Sequence, residues 1–463
     1  MEKQENIMGT KPVFPLLVSM AIPPMVSMLI QSLYNVVDSI FVARLSEEAL
    51  TAVSLVYPLQ NLSLAASVGL GIGMSSCISR SLGARRQKEA EEAVSHGMLF
   101  TAIQGFLFIL IGWFLSKPFL QMFTDNQEIL EMAVQYSKIV ICLAFGSHFH
   151  ITIEKIFQST GNMVVPMILQ GVGALINIIL DPVLIFGLGG FPAMGIKGAA
   201  VATIIGQMAA CALALLLQTR NRELRIPVRG FCFRKEMAAR IYQVAVPSGL
   251  LMAMPSALVG ILNGILHPFS DRAVAVLGLY FKVQSFVYMP ANGLVQGLRP
   301  IAGYNYGAGY YGRLRKTVRS ALQIAGGIMI FGTVLFAGFT RPIMGLFHAS
   351  PDLMNMGCQA LRIISLGFFV SIFSIIYAGT FEGLGKGLHS LSISILRQMS
   401  ILPVLALVLS RIIGVTGVWI AFPVTELIAG IYAICLWRHS KERMGIRGEG
   451  PQVQPAREIG KGY

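Results

Sequence analysis

The stretch GLGIGMSSCISRSLGARRQ, residues 69–87, returns in altered form as GLVQGLRPIAGYNYGAGYY at residues 293–311. At that spacing of 224 residues Gly69 falls on Gly293, Gly73 on Gly297 and Gly83-Ala84 on Gly307-Ala308. Toward the N-terminus the same register pairs Ala21 and Pro23 with Ala245 and Pro247, Ser46 with Ser270 and Gln60 with Gln284. Toward the C-terminus it pairs Lys117-Pro118 with Arg341-Pro342, Phe123 with Phe347 and Gly161 with Gly385. After a five-residue shift, Gly195 and Gly198 meet Gly414 and Gly417. A register this long with one shift marks an internal duplication.

Composition says what was duplicated. The 463 residues are 54% hydrophobic and 13% charged, with a mean hydropathy of +0.67, more apolar than one soluble core can hide. Crossing roughly 30 Å of hydrocarbon takes about twenty apolar residues. Such runs lie near 13–42, 50–79, 95–115, 130–158, 164–188, 194–219, 238–266, 273–303, 318–340, 353–381, 388–412 and 415–437. The first follows a polar start through Lys11 and is too long for a signal-peptide core, so it reads as a span. The expectation is an all-α polytopic membrane protein of about twelve transmembrane helices in two six-helix pseudo-symmetric lobes. Its divisions are an N-terminal lobe at 1–219, a basic linker at 220–237, a C-terminal lobe at 238–437 and a tail at 438–463.

The net charge of +14 is distributed by topology. Basic residues gather in alternate loops: Arg80, Arg85, Arg86 and Lys88; Arg220 to Arg240; Arg313, Arg315, Lys316 and Arg319; and Arg438 to Lys461. The positive-inside rule puts these segments and both termini in the cytoplasm, facing membrane lipid. Their position between apolar runs, without interleaved aromatics, argues against a nucleic-acid partner. Six spans per copy is an even number, so both copies enter from one side, and parallel halves of that kind enclose a cleft. The six cysteines show no CxxC pair, which indicates neither a disulfide framework nor a zinc site. With no nucleotide-binding loop, no HExxH and no GxSxG on a span, the chain reads as a non-enzyme without cofactor or metal.

Three spans carry polar stripes that lipid would reject. Ser27, Gln31, Tyr34, Asn35 and Asp38 recur at i, i+4, i+7, i+8 and i+11 on the first. Ser147, His150, Glu154 and Gln158 form a second stripe on the fourth, and Gln170, Asn177 and Asp181 a third on the fifth. A central aspartate costs roughly 2.5–3.5 kcal/mol to insert, so these faces look into protein or a water-filled cavity. The duplicate has Leu262, Ala378 and Leu405 where the first copy has Asp38, Glu154 and Asp181. Acids required by architecture alone would recur in both copies, so the asymmetry points to a chemical task in the first. A carboxylate in low dielectric, with Asn35 and Asn177 beside it, suits a site that binds and releases a proton or a sodium ion. Glu154 has Lys155 and His150 at hand as neutralising neighbours. Glu426 is expected to pair with Arg397 or Arg411, Lys282 and Arg299 to line the cleft or snorkel to its ends, and Pro23, Pro24, Pro247 and Pro255 to kink the first helix of each copy. The 23 methionines and 27 phenylalanines suit a cavity for varied apolar cations.

Four segments together carry a resemblance: YNVVDSIFVARLSEEALTAVSL, GLGIGMSSCISRSLGARRQKEAEEAV, NIILDPVLIFGLGG with GIKGAAVAT, and GLVQGLRPIAGYNYGAG. Over residues 12–437 the chain resembles the multidrug and toxic compound extrusion (MATE) family, in its MepA-like bacterial branch. The resemblance implies a V-shaped twelve-helix antiporter of the bacterial inner membrane, exporting cationic or amphiphilic drugs in exchange for protons or sodium and conferring antibiotic resistance, with a monomer as the working unit. It assigns cation coupling to Asp38 and Asp181 and substrate handling to Glu154; the polar stripes add Asn35 and Asn177 to the coupling group and Gln31, Tyr34, Gln158 and His150 to the substrate group. The sequence departs from the family pattern at Arg44, where glycine is usual, at Ser159-Thr160, where an Arg-Ala pair is frequent, and at Asn263, near where other branches carry a glutamate. The competing reading is a lipid-linked oligosaccharide flippase of the same superfamily, with a cationic cleft built from Lys282 and Arg299 and more than twelve helices.

Overall fold

The computed structural model describes residues 6–221, 223–226, 231–345, 347 and 351–446. The tail beyond 446, and residues 222 and 227–230 of the expected linker, lie outside the described residues. Among the described residues the chain is helical and has no strand.

The first copy comprises a short α1 (Ile7–Thr10), α2 (Val13–Leu45), α3 (Glu47–Gly83), α4 (Gln87–Leu110) and α5 (Ser116–Gln121), then α6 (Gln127–Cys142), α7 (Phe145–Ser159), α8 (Val164–Phe186) and α9 (Ile196–Thr219). The second comprises α10 (Lys235–Leu266), α11 (Asp271–Gly307), α12 (Tyr311–Gly338), α13 (Thr340–Gly345), α14 (Pro351–Ser365), α15 (Phe368–Gly383), α16 (Gly387–Ser394), α17 (Leu402–Ile413) and α18 (Val415–Arg443). A π-helical turn, Ile111–Leu115, joins α4 to α5, and another, Ile395–Ile401, joins α16 to α17. Among the described residues ten helices or helix runs are long and apolar enough to cross a membrane. Two bent pairs, α6 with α7 at 42° and α14 with α15 at 51°, bring the number of spans up to twelve when each pair counts as one. The fourth and tenth spans, expected as continuous helices, are thus each broken in the middle.

The duplicated residues have duplicated local tasks. α3 and α11 are both 37 residues long. Ser46 accepts the Ala49 N–H at 3.0 Å and Ser270 accepts the Ala273 N–H at 3.1 Å, each capping its helix. Gly161 and Gly385 end the fourth and tenth spans at φ of 94° and 80°, where a side chain would be strained. Gly198 lets α9 lie against α8, since a methyl there would come within 2.4 Å of Leu184 O. Gly417 does the same for α18 on α17, at 2.2 Å from Leu409 O. In lipid, where burial of apolar surface drives little, such close approach is what holds helices together.

Two compact units divide the described chain. One is Pro23–Ser81 with Arg86–Gly249; the other is Met1–Ile22 and Leu82–Arg85 with Leu250–Tyr463. The divisions fall inside α2, between Ile22 and Pro23, and inside α10, just after Pro247. Both helices continue through their prolines without a break. Within the first unit, Glu92 bonds Arg234 at 3.0 Å, and the His96 ring meets Phe231 edge-on and Phe233 at a tilt. Within the second, the Met8 carbonyl accepts Asn305 at 3.2 Å and Arg313 at 3.1 Å.

Candidate functional site

All three acids singled out in the first copy lie in the unit Pro23–Ser81 with Arg86–Gly249, but in two separate groups. α2 and α8 bring the first together. Asp38 sits on α2 and Asp181 on α8, with their carboxyl groups within hydrogen-bonding reach of each other. Asp181 is fully buried and Asn177, one turn earlier, is 2% exposed. Asn177 Nδ2 donates to Asp181 Oδ1 and to Thr203 Oγ1 of α9, both at 3.3 Å. Thr203 itself donates to the Ala199 carbonyl at 3.0 Å and stands within bonding reach of the Tyr34 phenol. Tyr136 of α6, bonded to Gln60 of α3, faces both acids.

Two carboxylates accept hydrogen bonds but donate none, so they bond each other only through a proton. Without one, Asp38 Oδ1 and Asp181 Oδ2 are buried oxygens with no donor, and Asn177 Oδ1 is a third. Among the described residues no lysine or arginine lies within 4 Å of either acid, and no cation figures in their electrostatic surroundings. A buried negative pair without a counter-ion is unstable until something positive joins it. That is the property of a site which takes up a cation and gives it back.

The rest of the first stripe is placed otherwise. Gln31 accepts a bond from Gln170 Nε2 of α8 and donates to Asn35 Oδ1 at 3.1 Å. Asn35 itself is exposed and makes no bond to the acid pair. The second group lies on α7. Glu154 Oε1 accepts Gln158 Nε2 at 2.6 Å and lies 3.8 Å from the Lys155 ammonium, which also donates to Gln158 Oε1 at 2.9 Å. Lys155 is 6% exposed and crosses Gly71, where a methyl would meet its Cγ at 2.6 Å. Glu154 is therefore neutralised on its own helix. His150, 6% exposed with Nε2 unbonded, lies one turn before it. His148 points elsewhere, bonding Ser63 at 2.8 Å.

In the second copy two acids within the spans, Glu382 and Glu426, each have an arginine. Arg299 Nε meets Glu382 at 2.6 Å, so this arginine neither snorkels nor stands free. Arg397, on the π-helical turn, meets Glu426 at 2.7 Å, which selects it over Arg411. Thr203, Tyr136 and Gln60 were not read as site residues. Thr203 closes the GIKGAAVAT motif and Gln60 is one of the duplicated positions, whereas nothing in the spacing distinguishes Tyr136 from packing.

A duplicated helical bundle of up to twelve spans, with an acid pair lacking a counter-ion in one copy, is the form of a membrane transporter. The MatE family model matches residues 23–183 and again residues 247–408, once per copy, and the chain belongs to that family. The FAD transporter of Shewanella oneidensis is 25% identical over 440 residues, 93% of this chain and 95% of that protein. The multidrug export protein MepA of Staphylococcus aureus is 24% identical over 439 residues, 94% and 96% of the two chains. The probable multidrug resistance protein YoeA of Bacillus subtilis is 27% identical, covering 87% and 88%. Among solved structures, an outward-facing multidrug resistance MATE family transporter of the MOP superfamily superposes with a TM-score of 0.89 at 24% identity, over 96% of this chain and 99% of that one. The fold is thus that of the MATE transporters. The protein is a multi-pass membrane transporter with multidrug export proteins among its relatives.

Proposed function

We propose that this chain is a secondary active exporter in a bacterial inner membrane, moving cationic and amphiphilic compounds outward in exchange for protons by alternating access. The observation that carries the reading is the Asp38–Asp181 pair in one copy, Asp181 buried and Asp38 half-buried, with no counter-ion among the described residues. In the empty-handed state the pair is negative and attracts a cationic substrate. A proton entering from outside bridges Asp38 and Asp181, removes the charge and lets the helices carrying them, α2 and α8, draw together. Release of that proton inside restores the attraction. The basic turns and both termini face the cytoplasm in this scheme, and the working unit is a monomer that needs no bound cofactor.

One charge driven by about 100 mV carries roughly 2.3 kcal/mol. At 1.36 kcal/mol per decade that sustains about a 50-fold gradient of an uncharged substrate, or of a monovalent cation when two protons enter for each one exported, since one-for-one exchange of like charges is electroneutral. Sodium is a second reading with its own support, because Asn177 Oδ1 is a third donorless oxygen beside the pair. The test is export of a cationic dye, and separately of FAD, from vesicles under an imposed proton or sodium gradient. Asp38→Asn and Asp181→Asn are compared with the unaltered chain. The reading requires gradient-driven export that both substitutions abolish; full export in both variants rejects it, and the effective gradient names the ion.

A further inference from the structure

Away from the acid pair, at the end of the spans opposite the arginine-rich turns, α13 and α14 border a cavity of about 450 Å³. Its lining includes Arg341 of α13 and Asn355, Gln359 and Arg362 of α14. The α14 residues recur at i, i+4 and i+7, one face of the helix. Arg362 starts about 16 Å down α14 at 1.5 Å per residue, and helical side chains lean back toward the helix N-terminus, so its guanidinium rises toward Arg341. Among the described residues no acid lines the cavity. Asp352, one turn above Asn355, is already held by Arg272 at 2.7 Å. Among the described residues neither Arg341 nor Arg362 has a carboxylate within 4 Å. Gln359 is anchored through Nε2 to Thr416 of α18 at 3.2 Å, which fixes the wall.

The first copy carries different residues at the corresponding positions. The register sets Lys117, Glu131, Gln135 and Lys138 at the positions of Arg341, Asn355, Gln359 and Arg362. The register thus puts an acid, Glu131, where the second copy has Asn355, and the Lys138 ammonium sits 5.0 Å above the Trp113 ring. In the second copy the acid is an amide and both basic residues are arginines, whose planar forks match phosphate oxygens in pairs. Two guanidinium groups and two amides, all exposed, line one open groove without an acid among the described residues, and such a set can serve as an anion cradle.

We propose that this cavity binds a phosphate group, with Arg341 and Arg362 as paired forks and Asn355 and Gln359 as amide donors. The same chemistry is offered by an anionic phospholipid headgroup and by a soluble phosphate, and the two sources separate in solution. The full chain in detergent micelles is titrated with inorganic phosphate against chloride at matched ionic strength, and in a second arm with phosphatidylglycerol, reading the thermal unfolding midpoint, which rises when a ligand binds the folded state. The expected result is a saturable rise in at least one arm, with the apparent affinity about tenfold weaker in Arg341→Gln and in Arg362→Gln. Asn355→Asp, which introduces the kind of acid the first copy has there, should remove the response while leaving both arginines in place. Lys117→Gln with Lys138→Gln should leave it intact. A rise with phosphate assigns a soluble phosphate-bearing ligand; a rise with phosphatidylglycerol alone assigns a lipid headgroup. No saturable response in either arm, a response unchanged in the arginine variants and in Asn355→Asp, or an equal loss in the lysine control overturns the site.

Discussion

The two copies of one six-helix unit treat their buried acids in opposite ways. In the second, Glu382 and Glu426 each lie within 2.7 Å of an arginine. In the first, Asp38 and Asp181 have only each other, an amide, a hydroxyl and two phenols around them. A permanent counter-ion makes a carboxylate part of the scaffold, because neither partner leaves without stranding the other. A carboxylate that lacks one stays available to a mobile cation. The duplication kept the caps, the turn glycines and the length of the second span, and the copies diverged in whether an arginine stands beside the acid.

That contrast makes its largest prediction in transport. Asp38→Asn or Asp181→Asn should collapse a gradient-driven substrate ratio from about 50-fold to unity, since the variant no longer converts the ion's roughly 2.3 kcal/mol into work. Glu382→Gln should leave that ratio standing in whatever protein still folds. Vesicle export measured for the three variants side by side checks both halves. Loss of coupling in Glu382→Gln with the fold intact would erase the distinction between the copies.

The next largest effect is on stability and falls on the second copy. Arg397→Met strands Glu426 and should cost about 3–5 kcal/mol, whereas Arg397→Met with Glu426→Leu should recover most of it, because an apolar pair of similar volume replaces a desolvated ionic one. Unfolding midpoints of the two single variants and the double variant give the coupling directly. Additive losses would show that the pair is not the unit proposed.

A smaller effect tests how each copy packs its second span against its fourth. In the first, Lys155 of α7 crosses Gly71 of α3; in the second, Val295 of α11 presses on Gly379 of α15, at the same positions with the glycine exchanged. Gly379→Ala would meet Val295 Cγ1 at 2.4 Å, and a β-branched side chain has little room to turn, so about 1–3 kcal/mol should be lost and Val295→Ala should restore part of it. Gly71→Ala meets the flexible stem of Lys155 and should cost less. Thermal midpoints of the three variants rank them.

Much of this was legible in the residues alone, for physical reasons. A period-224 register and runs long enough for hydrocarbon determine span number and duplication, because lipid tolerates few alternatives to a helix. The acids stood out because charge in a span is costly, and Asp38 and Asp181 do meet. Their company was less legible. Tyr136 sits on a helix where an aromatic residue is ordinary, and only the placement of α6 turns it toward the acids. The breaks after Cys142 and Ser365 were hidden because no proline or charge marks them; Ala144 and Gly367 occupy the bends. Glu154 and Asp38 look alike in sequence, yet Lys155 turns inward beside one, and nothing of the kind lies beside the other.

Asn35 supplies the smallest prediction. Helical spacing puts it on the stripe with Asp38, but it is exposed and spends its side chain on Gln31, at 3.1 Å. An exposed amide with one bond contributes little, so Asn35→Ala should change stability by no more than about 0.5 kcal/mol and leave the export ratio intact. Asn177→Ala, on the buried side, removes the donor to Asp181 Oδ1 and should weaken coupling clearly. If the two amides instead matter equally in the same vesicle assay, the acid pair draws on groups from the exposed side of α2, and the boundary of the site has to be moved outward to include Gln31 and Gln170.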